Sequence, residues 1–203
     1  MSRRISARCA RGRGPLAPSA SVELVQDTER QHREVRAVEI IEQRPDDRPF
    51  FLLFAPTETH APFEGHPDAW VERYRNASFV DIPRGESSHL PAFGANSVLP
   101  DDPTEMLAQY YAAVSAQDEW LGTVIAALDG TGVLDDTLVI VTSDHGHMNG
   151  HHGLVGKANA TLPQNLYDEV VRVPLVIRWP GRVAAAARSD LFVDHMDLFV
   201  TML

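Results

Sequence analysis

Three short apolar runs set the framework that this chain can adopt. Phe50 to Ala55 is continuously apolar but too short for a typical helix, which predicts a strand buried on both faces. Thr137 to Thr142 is rich in β-branched residues and predicts a second strand. Val173 to Trp179 predicts a third, with Pro174 marking its start or a sheet edge. Between the first two lies the clearest helical pattern. Asp102 suits the N-cap, Pro103 the first helical position and Glu105 the far side of a capping box. Met106, Tyr110, Val114, Leu121, Ile125 and Leu128 fall on one stripe, and Gly130 can end the helix. Strand, long helix, strand is the order of a right-handed crossover between parallel strands. The expected class is therefore α/β, with a mostly parallel sheet flanked by helices.

The remaining segments are less regular. Glu23 to Gln43 is charged, with Val35, Val38 and Ile41 at helical spacing, and predicts an amphipathic helix broken by Pro45-Asp46-Asp47-Arg48-Pro49. Residues 56–103, rich in Pro, Gly, Asn and Ser, form a long excursion with one short helix near Asp68–Arg75. Residues 1–22 read as a disordered or misassigned segment. The first twenty hold five arginines and no acid, a composition shared with organelle transit peptides, and lack the apolar stretch of a secretory signal. Residues 23–203 then read as one domain.

At 203 residues and 44% hydrophobic, the chain is long enough to bury a sizeable core. No apolar run approaches the roughly 18 residues that cross a bilayer, so a soluble protein is expected. The formal net charge of −10 argues against nucleic-acid binding, and an acidic body needs local cations or a metal to hold an anion. The single cysteine, Cys9, excludes an intramolecular disulfide.

Ser143 to Lys157 begins where the second strand ends, which is where open α/β sheets gather their ligand sites. His145, His147, His151 and His152 lie within eight residues, beside Asp144. Asp144 and His145 are ordinary ligands for a divalent cation, but two ligands do not complete a site. A self-contained zinc module of the form H-x-H-x3-H-H is the alternative. It is disfavoured because structural zinc sites prefer cysteine and none is near. His147 and His151 read as loop residues or as supports behind the ligands. Lys157 is the only lysine among 18 basic residues, so a compact point charge stands where arginine serves everywhere else. Neutralising an oxyanion is one task that suits it.

These residues also carry a family resemblance. Tyr110 to Ser115, Asp118, Thr137 to Gly146, Gly150 to Leu154, Gly156-Lys157, Val173 to Gly181 and Val193 to Asp197 resemble sulfatases of the alkaline-phosphatase-like superfamily. Upstream, Pro49 to Leu52 and Thr59-His60-Ala61-Pro62-Phe63 are similar to the segment bearing that family's active-site histidine. The resemblance implies that Asp144 is a metal ligand and that His145 contacts the metal or the nucleophile. It implies that Lys157 contacts the sulfate group and that His60 lies near the leaving oxygen. A sulfate ester as substrate and a divalent metal follow, calcium foremost with manganese or zinc as alternatives. Sulfuryl transfer spreads charge over several oxygens, which a metal and a lysine can stabilise, while His60 can protonate the departing oxygen.

Two family features are missing. The formylglycine nucleophile is made from cysteine in a short motif, and Cys9-Ala-Arg-Gly-Arg13 has Arg11 where proline or alanine belongs. The paired acids expected on a first strand are absent, and Asp46-Asp47 and Asp101-Asp102 stand in turns. The expectation is a partial sulfatase catalytic domain over residues 23–203, without the formylglycine segment or the C-terminal subdomain. Such a piece would be inactive alone and a partner for a complementing N-terminal segment. Phosphonate or phosphodiester hydrolysis and a non-catalytic pseudoenzyme or complementing subunit are the competing readings.

Overall fold

A computed structural model describes residues 21–25, 33–45, 48–83 and 87–202. The expected N-terminal segment, Cys9 and the Asp46-Asp47 pair lie outside those residues, apart from Ser21 and Val22. The elements run β1 (Ser21–Val25), α1 (Arg33–Glu42), β2 (Phe50–Phe54), α2 (Asp68–Arg75), α3 (Thr104–Gly130), β3 (Val139–Thr142), α4 (Asp168–Val171), β4 (Leu175–Arg178) and α5 (His195–Met202).

The longest element, α3, organises the rest. Asp102 Oδ1 accepts the Thr104 amide at 3.0 Å, but the helix begins at Thr104 with Pro103 at the cap, one residue later than expected. Glu105 does not close a capping box. Its carboxylate instead takes Arg75 Nε at 2.8 Å and Nη2 at 2.9 Å, a two-point grip that ties α2 to α3. The helix ends at Gly130, as expected, and Gly132, at φ +72°, then supplies the left-handed turn, with the Val133 amide reaching back to the Leu128 carbonyl.

The buried face of α3 is not the stripe of large residues expected from sequence. Leu107, Ala108, Ala112, Ala113 and Ala116 are buried, whereas Val114 is exposed. Ala108 and Ala112 let α2 approach closely, with Val71 set against them and Trp70 and Tyr74 beside it. Toward the other end, Val124 and Leu128 pack on Ala37 and Ile41 of α1, and Phe50, Leu52, Phe54 and Val139 close that core. Within α1 the buried pair is therefore Ala37 and Ile41, one helical turn apart, and Val35 is exposed.

The strands differ from expectation in three ways. Ser21–Val25, read largely as the beginning of a helix, is a strand that pairs in parallel with β2 and straddles the boundary drawn at residues 22 and 23. Alternation of Val22 and Leu24 with Ser21 and Glu23 suits a pleated strand, and the helix described farther along is Arg33–Glu42. Next, β2 is covered on one face only. Phe50, Leu52 and Phe54 turn toward α1 and α3, while Phe51 and Leu53 are exposed. Lastly, β2 and β3 share that core without pairing. β3 forms an antiparallel ladder with β4, matching Val139 to Arg178 and Thr142 to Leu175, rather than the expected parallel crossover with β2. Pro174 precedes β4, as a residue without an amide donor should.

The excursion after β2 returns to embrace the loop after β3. Isolated antiparallel bridges join Ala92 to Thr161 and Val98 to Leu154. The amides of Ser88 and Leu99 reach the carbonyls of His152 and Gly153 at 2.8 and 2.9 Å. Among the described residues no helix is long and apolar enough to cross a membrane.

Candidate functional site

The loop from Ser143 to Lys157 is built by its own backbone before any side chain contributes. Met148 N bonds to Gly156 O, and Gly150 N to Leu154 O, each at 2.8 Å, which folds the loop back on itself. Gly150 has φ +101°, and a Cβ there would stand 2.9 Å from Ile82 Cγ2, so glycine meets both a conformational and a packing demand. Beneath the loop, fully buried Met148 joins Leu154 and Val170 in a small core. Its far end is held by buried Asn165, whose Nδ2 donates to Ala158 O at 3.0 Å and Lys157 O at 3.3 Å.

Asp144 and His145 occupy the turn at the end of β3. The His145 amide donates to Asp144 Oδ1 at 3.0 Å, leaving Oδ2 3.5 Å from His145 Nε2. His145 Nδ1 lies 2.9 Å from Gly146 O, and a carbonyl can only accept, so the proton sits on Nδ1. Nε2 then presents a lone pair beside Oδ2, the tautomer that a metal ligand needs. Both side chains are accessible, Asp144 at 84%. Among the described residues no third histidine, cysteine or acid completes a group that could hold an ion. The donor chemistry thus fits part of a divalent cation's shell and not the whole of it.

His60 is exposed in the loop after β2, lining an open hollow with Thr57, Glu58 and Ala61. Its Nδ1 donates to Ala61 O at 2.6 Å, which leaves Nε2 to take up or release a proton. Lys157 is half-buried at the other end of the loop, and no carboxylate among the described residues neutralises its ammonium.

His147 links these pieces. Its ring stacks on Tyr110 of α3 at 5.9 Å between centroids and meets Phe63, three residues after His60, edge-on at 5.9 Å. Phe63 and Tyr110 close the triangle at 5.3 Å. Burial pushes the His147 pKa below its usual range. A hydrogen bond with Asn149 opposes the shift, and the Lys157 ammonium reinforces it. Through Phe63 and Tyr110, His147 thus ties the loop after β3 to the loop after β2, two segments separated in sequence by α3. Sequence reasoning left His147 as a loop or supporting residue. Its aromatic cage was not legible, since Phe63 and Tyr110 lie far from it along the chain.

The other two histidines have a different partner. His151 Nδ1 and His152 Nε2 each lie 3.3 Å from one oxygen of Glu169, and His152 stacks on Tyr167 at 4.0 Å. The four histidines thus divide between two environments, and they do not form the self-contained zinc module.

Comparison with known proteins agrees with the resemblance. A family model described as Sulfatase matches residues 30–203. The uncharacterized sulfatase YidJ of Escherichia coli K12 is 33% identical over 176 residues, covering 83% of this chain and 34% of that protein. The ulvan-active sulfatase of Formosa agariphila is 32% identical over 142 residues, covering 68% and 24%. The crystal structure of a phosphonate monoester hydrolase of Agrobacterium radiobacter superposes with a TM-score of 0.57 at 24% identity, covering 73% and 32%, a likeness of fold. The chain spans about a third or less of the length of these proteins. On the family match over residues 30–203, this chain belongs to the sulfatase family of sulfuric ester hydrolases and carries part of its alkaline-phosphatase-like fold.

Proposed function

We propose that the full-length protein hydrolyses sulfate esters at the surface formed by the His60 loop and the Asp144–Lys157 loop. The observation that carries this reading is the aromatic cage in which Phe63, three residues after His60, and Tyr110 hold His147, two residues after His145, in a chain of the sulfatase family. An acidic protein needs local positive charge to hold an anion, and Lys157 supplies it. In this reading the Lys157 ammonium lies against the sulfuryl oxygens and stabilises the charge they gain. His60, anchored through Nδ1, transfers a proton between Nε2 and the departing oxygen. Asp144 and His145 contribute two donors to a divalent cation, calcium foremost with manganese or zinc as alternatives; when bound it supplies positive charge beside the reacting group.

The fold likeness to a phosphonate monoester hydrolase supports a second reading, hydrolysis of phosphonate monoesters or phosphodiesters by the same surface. The two part on substrate. The full-length protein is assayed with 4-nitrophenyl sulfate, bis(4-nitrophenyl) phosphate and a 4-nitrophenyl phosphonate in calcium, manganese or zinc. Faster turnover of the sulfate, by tenfold or more in kcat/KM, is expected. Preference for either phosphorus ester promotes the second reading, and turnover of none sinks both.

A further inference from the structure

The pair His151-His152 plays no part in the chemistry above, yet the sequence concentrates histidine there and the fold gives both rings the same partner. Glu169 lies in α4, one short turn, and holds the loop at two places. Its backbone meets the Asp144–Gly146 turn: a Cβ on Gly146 would stand 2.0 Å from Glu169 O, and Gly146 N donates to Val170 O at 2.8 Å. Its side chain meets the middle of the loop, with Oε1 3.3 Å from His151 Nδ1 and Oε2 3.3 Å from His152 Nε2. A carboxylate can only accept, so His152 Nε2 donates to Oε2, while His151 Nδ1 stands at ion-pair distance from Oε1.

The surroundings keep this grip in place. Glu169, His151 and His152 have side chains only 24–27% exposed, so water competes less for these contacts than at an open surface. His152 is fixed face to face on Tyr167, and the Tyr167 hydroxyl lies 3.1 Å from Ser88 Oγ. The Ser88 amide in turn donates to His152 O. His152 itself has φ +55°, so the chain reverses direction where Glu169 holds it. Val170, next in sequence, belongs to the core with Met148 and Leu154.

From these contacts we infer that Glu169 is a positioning residue, fixing the Asp144–His145 end of the loop relative to its Lys157 end through His151 and His152. The backbone grip sets one end, the side-chain grip sets the reversal, and Lys157 follows five residues beyond His152. This inference rests on the sulfate-ester reading for the tasks of Lys157, Asp144 and His145. The geometric claim beneath it is tested separately.

The test uses the full-length protein with Glu169→Ala, Glu169→Gln and, as a control on the same helix, Asp168→Ala, whose side chain meets only the exposed Arg172 in the ion pairs described. Two quantities are read: steady-state turnover of 4-nitrophenyl sulfate, and amide hydrogen exchange at Gly146, Met148 and Leu154. Glu169→Ala is expected to lower kcat about tenfold to a hundredfold with KM within about twofold, and to speed exchange at these amides. Glu169→Gln, which keeps one acceptor, should move both in the same direction by less, and Asp168→Ala should move neither. Glu169→Ala that exchanges and turns over like wild type overturns the inference, as does a fall in melting temperature with unchanged kcat. If Ala does not fold, a wild-type-like Gln variant overturns it equally. Absence of turnover in the wild type removes the sulfate-ester reading alone, because exchange still reports whether Glu169 holds the loop.

Discussion

The loop from Ser143 to Lys157 and the segment from Val183 to Met202 are of similar length, and their fates are opposite. The loop has few large apolar residues, yet Met148 and Leu154 are buried and its amides are paired in turns and bridges. The C-terminal segment carries Leu191, Phe192, Val193, Met196, Phe199 and Val200, and every one is exposed, Phe192 fully. Apolar content alone does not make a core. The loop has Val170 behind it and residues 88–99 alongside it, whereas α5 packs against nothing among the described residues that would cover those side chains. The candidate site therefore stands on the well-supported region.

Substitutions can break that contrast, beginning with the two glycines that differ most. Gly146→Ala forces a Cβ into the Glu169 carbonyl and should cost about 3 kcal/mol or more in denaturant unfolding. Gly181→Ala meets open space at φ +74°, so it should cost only the strain of a left-handed residue, about 1 kcal/mol. Equal costs at the two positions would show that the loop is not packed against α4. Deleting large side chains sharpens the same point: Met148→Ala should cost about 3 kcal/mol, whereas Phe192→Ala should stay within about 0.5 kcal/mol.

The smallest effect concerns neither region but the brace between α2 and α3. Arg75, through two hydrogen bonds, holds the Glu105 carboxyl down to about 2 from an ordinary 4.5, with help from Gln109. A lowered carboxyl pKa stabilises the fold above the unfolded value, so that contribution is intact above pH 4.5 and disappears as pH falls toward 2. Glu105→Gln should lessen the pH dependence of unfolding in that window and leave it unchanged near pH 7. Both partners are solvent-exposed and the difference will be small.

What the sequence disclosed follows from how local each feature is. The short helix at Asp68–Arg75 and the end of α3 at Gly130 depend on neighbouring residues, and both were legible. The buried face of α3 was misread because alanines were passed over, although Ala108 and Ala112 are what let α2 approach. Ser21–Val25 was absorbed into the charged helical stretch, since alternation over five residues is a weak signal beside it. Strand partners are not written in any single run, so the antiparallel match of β3 with β4 had no local trace. At the site, Asp144, His145, Lys157 and His60 were picked out through their motifs. The cage of Phe63 and Tyr110 around His147 and the grip of Glu169 on two histidines are long-range contacts that only the fold brings together.

The central claim is that the Lys157 loop acts on a sulfate ester. Its most direct test is the turnover of 4-nitrophenyl sulfate by the full-length protein and its Lys157→Ala variant, with folding checked by thermal unfolding. A fall of about a hundredfold to a thousandfold in kcat with an unchanged melting temperature is the expected result. Turnover retained at the wild-type rate would place the chemistry elsewhere and contradict the account.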